Sequence, residues 1–243
     1  MPEFVAGVDG CRAGWVVVLM PLGRPDAATI SLAPTFADIL ARDEAPAHIA
    51  IDIPIGLPDV TGPGGRGADV AARKVLGARQ SSVFAMPSRR AVYAETYQDA
   101  CAAAFATSDP PRKVSKQAYY LFPKVREVDR LMTPDLQARV REVHPEVAFW
   151  ALNGKQPVGT PKKIKSRVNP EGMAERRALL VGAGFDAAFL TTKHFLAKDA
   201  GADDILDAAV NCWTAARLAE GIAIRFPETP DIDGRGLRQE IWG

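Results

Sequence analysis

The chain has 243 residues, enough for one large domain or two small ones, and 47% of them are hydrophobic, as in an ordinary globular protein. Its 30 Lys and Arg residues balance 29 Asp and Glu residues, so the net charge of +1 argues against permanent binding to nucleic acid or an anionic membrane. No apolar run could span a membrane, the N-terminus lacks the basic segment of a signal peptide, and the three scattered cysteines form no disulfide or zinc pattern, so a cytoplasmic protein is expected.

The first third of the chain is dominated by strand-like segments. Two apolar runs joined by a glycine-punctuated turn predict strands at 4–9 and 15–20, and a third strand is predicted at 28–33. Thr35 is a suitable N-cap for the short helix that follows, and the run HIAIDIP predicts a fourth strand at 48–54. We therefore expect the first three strands to form a meander.

The rest of the chain is mainly helical, with a fifth strand predicted at 138–146. The clearest helix is 203–221, because acids begin it and a glycine follows its end. This order predicts an α/β fold: a five-stranded mixed sheet flanked by helices, in a single domain with a helical insertion at about 85–135, between strands four and five. Further helices are predicted at 68–79, across most of 88–131 with breaks at Pro110, Pro111 and Pro123, and at 171–181.

Four aspartates stand where a sheet edge and a helix face could meet. Asp9 closes the first strand and Asp52 lies near the end of the fourth; if these strands are parallel neighbours, both carboxylates project from the edge where α/β proteins bind ligands. Asp204 and Asp207 lie one helical turn apart, on one helix face. Carboxylates this close repel one another unless cations neutralise them, and oxygen ligands favour Mg²⁺ or Mn²⁺. Two such ions about 4 Å apart would activate water and stabilise the leaving oxygen in phosphodiester hydrolysis.

Each of these acids also has a purely structural interpretation. Asp203 and Asp204 could simply complement the helix dipole. Asp207, on a largely apolar helix, and Asp52, within IAIDIPIG, are harder to explain in this way, because a buried carboxylate is costly unless it is paired or metal-bound. The consistent placement of the four acids favours a common site.

The chain also contains six distinctive segments: GVDGCRAGWVVV, IDIPIGLP, GRGADVAARKVLGARQSSVFAMPSR, KQAYYLFPKVREVD, EVHPEVAFWALNG and DDILDAAVNCWTA. Together they resemble a bacterial and archaeal family of unknown function, classed as predicted nucleases of the RNase H-like fold. The resemblance covers nearly the whole chain and implies an RNase H-like core with a candidate metal site, but no known substrate.

The wider superfamily, which includes Holliday-junction resolvases, carries acids on the first strand, the fourth strand and the last core helix. These positions match Asp9, Asp52, Asp204 and Asp207, which the resemblance implies as catalytic residues and metal ligands. Resolvase-like enzymes usually carry glutamate near the fourth strand, where this chain has aspartate.

Other polar residues are expected around this site. Glu146 could be a further ligand or a general base and His144 a proton shuttle, but the two could equally cap the helix that follows Pro145. The segment 79–90 offers hydroxyls and arginines suited to phosphate contact, or forms a capped loop. The expected catalytic set is thus completed by Glu146, and the expected substrate-binding residues are Arg12, Arg79, Ser81, Ser82, Arg89, Lys124 and His144.

Two loops invite functional interpretations. The basic residues of 161–167, namely Lys162, Lys163, Lys165 and Arg167, could follow a nucleic-acid backbone or form a solvated surface segment. The glycine-rich stretch 59–67 is not a P-loop, because Ala68 and Asp69 stand where lysine and a hydroxyl residue are required.

The leading functional hypothesis is a Mg²⁺- or Mn²⁺-dependent nuclease or phosphodiesterase that contacts DNA or RNA transiently, has no membrane partner and is compatible with a homodimer. One alternative is an ATP-dependent phosphotransferase of the actin or sugar-kinase type. Such proteins share this core and begin with a strand, an aspartate and a glycine turn, but they need two such domains. The other alternative is a non-catalytic binding protein on the same fold.

Overall fold

The computed structural model describes residues 3–165 and 167–243 and has a five-stranded mixed sheet at its centre. The strand order is β3-β2-β1-β4-β5, with β2 antiparallel to both its neighbours and β4 parallel to both of its own. The α/β class and the mixed sheet predicted from the sequence are confirmed. The strands are β1 Phe4–Cys11, β2 Gly14–Pro21, β3 Thr29–Ala33, β4 His48–Ile51 and β5 Val140–Glu142.

Helices flank this sheet, and four of them lie between β4 and β5 in the chain. None of the helices within the described residues is both long and apolar enough to cross a lipid bilayer. The helices are α1 Phe36–Leu40, α2 Gly67–Leu76, α3 Arg89–Val92, α4 Tyr97–Ala106, α5 Lys116–Leu131, α6 Pro145–Leu152, α7 Pro170–Gly182, α8 Ala187–Thr191 and α9 Ala202–Ala219. Two hairpins complete the fold, β6 Lys163–Ile164 with β7 Arg167–Val168, and β8 Arg225–Ile232 with β9 Arg238–Trp242.

Both faces of the sheet are covered, and the alternation of side chains along β1 separates the two cores. Ala6 and Val8 point into a core that includes Phe122 of α5. Val5 points to the opposite face, into a core that includes Leu206 of α9. The long apolar run of β1 therefore reflects burial on both faces, as is typical of a strand in the middle of a sheet.

Helix α9 lies directly against β1 because residue 7 is a glycine. A Cβ atom at Gly7 would lie 2.0 Å from the backbone nitrogen of Cys212 and 2.1 Å from the carbonyl oxygen of Ala208. The side chain of Asn211 then reaches the strand, where its Nδ2 donates to the carbonyl oxygen of Val8 at 3.0 Å. Close packing and one buried hydrogen bond thus fix the position of α9 on the sheet.

Several element ends differ from the predictions. The first strand continues to Cys11, so Asp9 lies inside a strand rather than at its tip. The fourth strand ends at Ile51, because its parallel ladder to β1 stops there. The fifth strand has three residues rather than nine, because Pro145 has no N–H for a ladder and begins α6 instead.

Two further corrections concern proline-containing segments. Pro123 lies inside α5 and does not break it, since the flanking Phe122 and Val125 are fully buried and hold the helix on the core. The C-terminal hairpin of β8 and β9 was not predicted, because the sequence RFPETPDI of β8 has two prolines and no alternation of apolar residues.

Replacing Gly7 by alanine should destabilise the protein strongly, because the added methyl group forces α9 away from β1. Overpacking of a core typically costs about 1–3 kcal/mol, and the overlap here is with backbone atoms that cannot rotate away. Chemical denaturation of Gly7→Ala should therefore show a much lower midpoint. The matched control is Gly182→Ala in α7, where the added methyl group meets nothing within 4 Å. Equal stability of the two variants would contradict the close packing of α9.

Candidate functional site

Asp9 and Asp52 lie side by side on the face of the sheet that α9 covers. Val8 pairs with Ile51 across the parallel strands, and the Asp52 N–H donates to the Val8 carbonyl at 3.0 Å. Val5 on β1 and Ala50 on β4 share the core that contains α9, so the alternation of side chains directs Asp9 and Asp52 to that face as well. The two carboxyl groups interact electrostatically, and the charge of Asp52 raises the pKa of Asp9.

Helix α9 brings two further acids to the same place. Asp207 is one turn before Asn211, the residue that bonds to β1, and its side chain is 4% exposed. Asp204 is half-buried, and one of its oxygens accepts the Gly201 N–H at 2.8 Å as part of a capping box. Asp204 therefore has both of the roles considered for it, as a helix cap and as a member of the cluster formed by Asp9, Asp52, Asp204 and Asp207.

The cluster carries more negative charge than its surroundings neutralise. Burial, followed by the charges of Asp207, Asp52 and Asp204, holds the pKa of Asp9 well above its usual value. Burial likewise raises the pKa of Asp52 and of Asp204. Burial raises the pKa of Asp207 to about 7, although Lys162 acts in the opposite direction. Four interacting carboxyl groups with raised pKa values are typical of a functional site.

One lysine is inserted into this cluster. Lys162 donates from Nζ to Oδ2 of Asp207, and a quarter of its side chain is exposed. Burial lowers the pKa of Lys162, but the charges of Asp207 and Asp9 outweigh this effect and keep the pKa above its usual value. The next residue, Lys163, pairs with Asp203 at 2.5 Å. Two of the four basic loop residues are thus bound to acids of α9 and do not form a free basic track.

The donor set suits a hard divalent cation. All four acids offer carboxylate oxygens, which Mg²⁺ and Mn²⁺ prefer. Oδ1 of Asp207 is buried and has no hydrogen-bond partner among the described residues, so it is available to a cation. In the part of the chain that the structure describes, no three His, Cys, Asp or Glu side chains are already arranged around a metal position. Binding would therefore require the carboxylates to turn toward the ion.

Two of the expected substrate-binding residues lie near the acids. Lys124 of α5 contacts the β1–β2 hairpin, where its ammonium group lies 4.1 Å from the centre of the Trp15 ring, and it interacts electrostatically with Asp9 and Asp204. His144 interacts electrostatically with Asp52. Its Nδ1 accepts the Glu146 N–H at 3.2 Å and its Nε2 lies 3.2 Å from the carbonyl oxygen of Ser82. His144 is thus the cap of α6, and both its ring nitrogens are engaged.

Glu146 and Arg89 are held in ion pairs with other residues. Oε1 of Glu146 accepts from Arg176 at 2.6 Å, and the guanidinium group of Arg176 is fully buried. Arg89 pairs with Asp129 of α5 and with Asp233 before β9. Their contacts give Glu146 and Arg89 structural roles, whereas their predicted roles in catalysis and substrate binding have no contact that supports them.

The remaining expected substrate contacts lie on loops. Arg12 reaches the carbonyl oxygen of Ala197 at 3.4 Å, and Arg79 reaches that of Gly159 at 3.2 Å. Ser82 donates to the carbonyl oxygen of Arg79, and Ser81 is exposed. Among the described residues, none of these four side chains contacts the acids, so their role in substrate binding stays a prediction.

A buried charge network lies on the opposite face of the sheet. Arg66 donates to Glu142 at 2.6 Å and to Asp69 at 2.7 Å, and Glu142 also accepts the Ile55 N–H at 2.7 Å. Burial raises the pKa of Glu142 to about 7, although Arg66 lowers it. Glu142 ends β5 at the same edge as Asp52 but faces the core on the side away from α9, so the network is separate from the cluster.

A cavity of about 470 Å³ lies at the start of α9, and none of the four acids is among its lining residues. Gly201 lines this cavity, and a Cβ at Gly201 would lie 2.8 Å from Oδ1 of Asp203 and 3.5 Å from Oδ2 of Asp204. A second cavity, of about 690 Å³, is lined by the glycine-rich loop and by none of the four acids. The residues that line the first cavity include the polar Arg177, Lys193 and His194 and the apolar Leu190, Phe195 and Ile205.

Three residues that help to position the cluster through contacts between distant segments were not predicted in this role. Lys162 comes from a loop 45 positions before Asp207, and no pattern in the sequence pairs the two. Asn211 did carry a signal, because it is a polar residue within the apolar run of α9. Arg176 had none, since an arginine on a helix is normally exposed.

Comparison with known proteins gives one match. A family described as "Protein of unknown function (DUF429)" matches residues 7–232. No curated protein and no solved structure is significantly similar to the chain. The expected resemblance to a family of unknown function is thus confirmed, whereas its classification as a nuclease family stays a prediction.

Without divalent ions, the stability of the protein should fall as the pH rises from about 4 to about 7. The folded state holds protons on Asp207 and its neighbours that the unfolded chain releases near the ordinary pKa of 3.8, so deprotonation favours unfolding in this window. Asp9→Asn removes one of the repelling charges. It should raise the free energy of unfolding at pH 8 by about 1 kcal/mol or more and flatten the pH dependence.

This prediction is measured by urea denaturation in EDTA at pH 5 and pH 8. Asp135→Asn is the matched control, because Asp135 is exposed. If Asp9→Asn loses stability at pH 8, or keeps the pH dependence of the wild type, repulsion among the acids does not limit stability.

Proposed function

We propose that this chain, which belongs to the DUF429 family, is a divalent-metal-dependent hydrolase of phosphodiester bonds built on an RNase H-like core. One observation carries the proposal: Asp9, Asp52, Asp204 and Asp207 converge on one face of the central sheet. They lie on the first strand, directly after the fourth, and on the helix packed across the first. This is the placement of acids that the resemblance to RNase H-like nucleases implies.

The four aspartates would hold Mg²⁺ or Mn²⁺, which lowers the pKa of a water molecule and neutralises charge on a phosphoryl group. Hydrolysis forms a bond from the water oxygen to phosphorus and breaks the bond to the leaving oxygen, which gains a proton. The tight packing of α9 on β1 at Gly7 keeps the carboxylates in place. Lys124, at the edge of the cluster, would attract and orient the anionic substrate.

We propose that the cavity at the start of α9 receives part of an anionic substrate. Arg177, Lys193 and His194 are among its polar lining residues, while Phe195 and Leu190 offer an apolar surface. Its volume of about 470 Å³ lies within the range of small-molecule sites. A nucleotide unit of DNA or RNA combines an anionic phosphate with a flat apolar base. We therefore propose DNA or RNA as the substrate.

The basic loop contributes less to nucleic-acid binding than its sequence suggests. Lys162 and Lys163 are paired with acids, which leaves Lys165 and Arg167 as the two of these four cations that have no ion pair among the described residues. Tracking of a phosphate backbone by this loop therefore stays a prediction that concerns two residues. A cytoplasmic location and a homodimer are likewise predictions.

Cleavage of labelled single- and double-stranded DNA and RNA, and of bis(4-nitrophenyl) phosphate, tests the activity in Mg²⁺ and in Mn²⁺. Asp9→Asn and Asp52→Asn should each lower the rate at least about 100-fold with an unchanged circular dichroism spectrum, since both remove a ligand oxygen charge. The exposed Asp135→Asn should retain full activity. Full activity of Asp9→Asn would reject the assignment, and metal-dependent ATP turnover without cleavage would favour the phosphotransferase alternative.

Divalent ions should also stabilise the folded protein. A ligand that binds only the folded state raises the free energy of unfolding by about 2.7 kcal/mol at 100 times its Kd. Differential scanning calorimetry should therefore show a higher Tm of the wild type in Mn²⁺ than in EDTA, and no such rise for Asp9→Asn. A Tm that Mn²⁺ leaves unchanged in the wild type would favour a non-catalytic binding protein.

A further inference from the structure

Lys162 occupies a place among the acids that a cation would otherwise take. Its ammonium group binds Oδ2 of Asp207 and is close enough to Asp9 to interact strongly with it. Asp207 is almost fully buried, and only its Oδ1 is left without a partner among the described residues. The lysine thus engages one oxygen of Asp207 and leaves the other available.

The segment that carries Lys162 is firmly anchored, so the lysine is not a mobile surface residue. Glu175 of α7 accepts the N–H groups of Gly159 and Thr160 at 3.0 and 2.9 Å. Arg176, held by Glu146, donates to the carbonyl oxygen of Thr160 at 2.8 Å.

On the other side of Thr160, Pro161 and Lys162 are held as well. The side chain of Asn169 donates to the carbonyl oxygen of Pro161 at 2.9 Å. The backbone N–H of Asn169 donates to the carbonyl oxygen of Lys162 at 2.8 Å. Gly172 allows the contact, since a Cβ there would lie 2.2 Å from the Pro161 oxygen. Buried charges, close packing and hydrogen bonds therefore serve to place one ammonium group in the cluster.

We propose that Lys162 is a resident cation of the site, and that the site takes one divalent ion among its carboxylates instead of two. This inference rests on the proposed function and replaces the two ions expected from the sequence. One divalent ion and the ammonium group leave a single negative charge on the four carboxylates. A second divalent ion would have to displace the ammonium group of Lys162 from Oδ2 of Asp207 or lie beside it, where the two cations repel each other.

In this arrangement Lys162 acts on the phosphodiester through its charge. As the water oxygen bonds to phosphorus and the bond to the leaving oxygen breaks, the ammonium group stabilises the negative charge on the phosphoryl oxygens. The proton lost by the water ends on the leaving oxygen through solvent, so Lys162 remains protonated throughout. Lysine is suited to this role, because its ammonium group is a compact point charge.

The number of bound ions tests this inference. Mn²⁺ is titrated into each protein, and the bound fraction is counted by electron paramagnetic resonance and by isothermal titration calorimetry. The wild type should bind one Mn²⁺ per chain. Lys162→Met, which removes the charge and keeps the length of the side chain, should bind two. Lys165→Met is the matched control, because Lys165 is exposed and lies three residues after Lys162, and this variant should bind one Mn²⁺.

The outcomes separate this inference from the proposed function. Two Mn²⁺ ions in the wild type would overturn the role of Lys162 and leave the metal-dependent hydrolase intact. A single ion in both the wild type and Lys162→Met would also overturn it. Absence of Mn²⁺ binding in both proteins would overturn the inference and the proposed function together. Should Lys162→Met fail to fold, Lys162→Arg, which keeps the charge, should bind one ion, and two ions there would count against the inference.

Discussion

The carbonyl oxygen of Val8 is the point on which the candidate site depends, because it accepts hydrogen bonds from two different elements. The N–H of Asp52 reaches it from the neighbouring strand and Nδ2 of Asn211 reaches it from α9, each at 3.0 Å. The next residue along β1 is Asp9. One carbonyl group therefore sets the relative positions of the first strand, the end of the fourth strand and the helix, which are the three elements that carry the acids. The bare backbone at Gly7 is what allows the helix to come close enough for this to happen.

Such an arrangement concentrates like charges, and the fold offsets part of them with Lys162. This lysine comes from the loop before α7, whose own position depends on buried side chains such as Arg176. Arg176 is held by Glu146 and by the carbonyl oxygens of Thr160 and Gly172, which offsets the cost of burying its charge. The acid cluster and the ion pairs outside it are therefore parts of one electrostatic arrangement.

Much of the fold and the four acids of the site could be predicted from the sequence, for a physical reason. Strand alternation, the end of an apolar run and the spacing of Asp204 and Asp207 are local properties of the chain, and they determine the face and edge where each side chain lies. The insertion of Lys162, the pairing of Arg89 with Asp233, and the structural role of Glu146 depend on contacts between distant segments. A position at the edge of the sheet is also not enough to predict that an acid belongs to the site. Glu142 ends its strand at the same edge, yet its side chain points to the opposite face and pairs with Arg66.

The bond between Asn211 and Val8 spans 203 positions of the chain, and this has a consequence for biosynthesis. When the first two strands leave the ribosome, the helix that will cover one of their faces has not yet been translated. The apolar side of this early meander, with Val16 and Val18 beside Val5, is not shielded from water until α9 has been translated. We therefore expect the nascent chain to be prone to aggregation during this interval, as chains with long-range closing contacts fold slowly and aggregate readily.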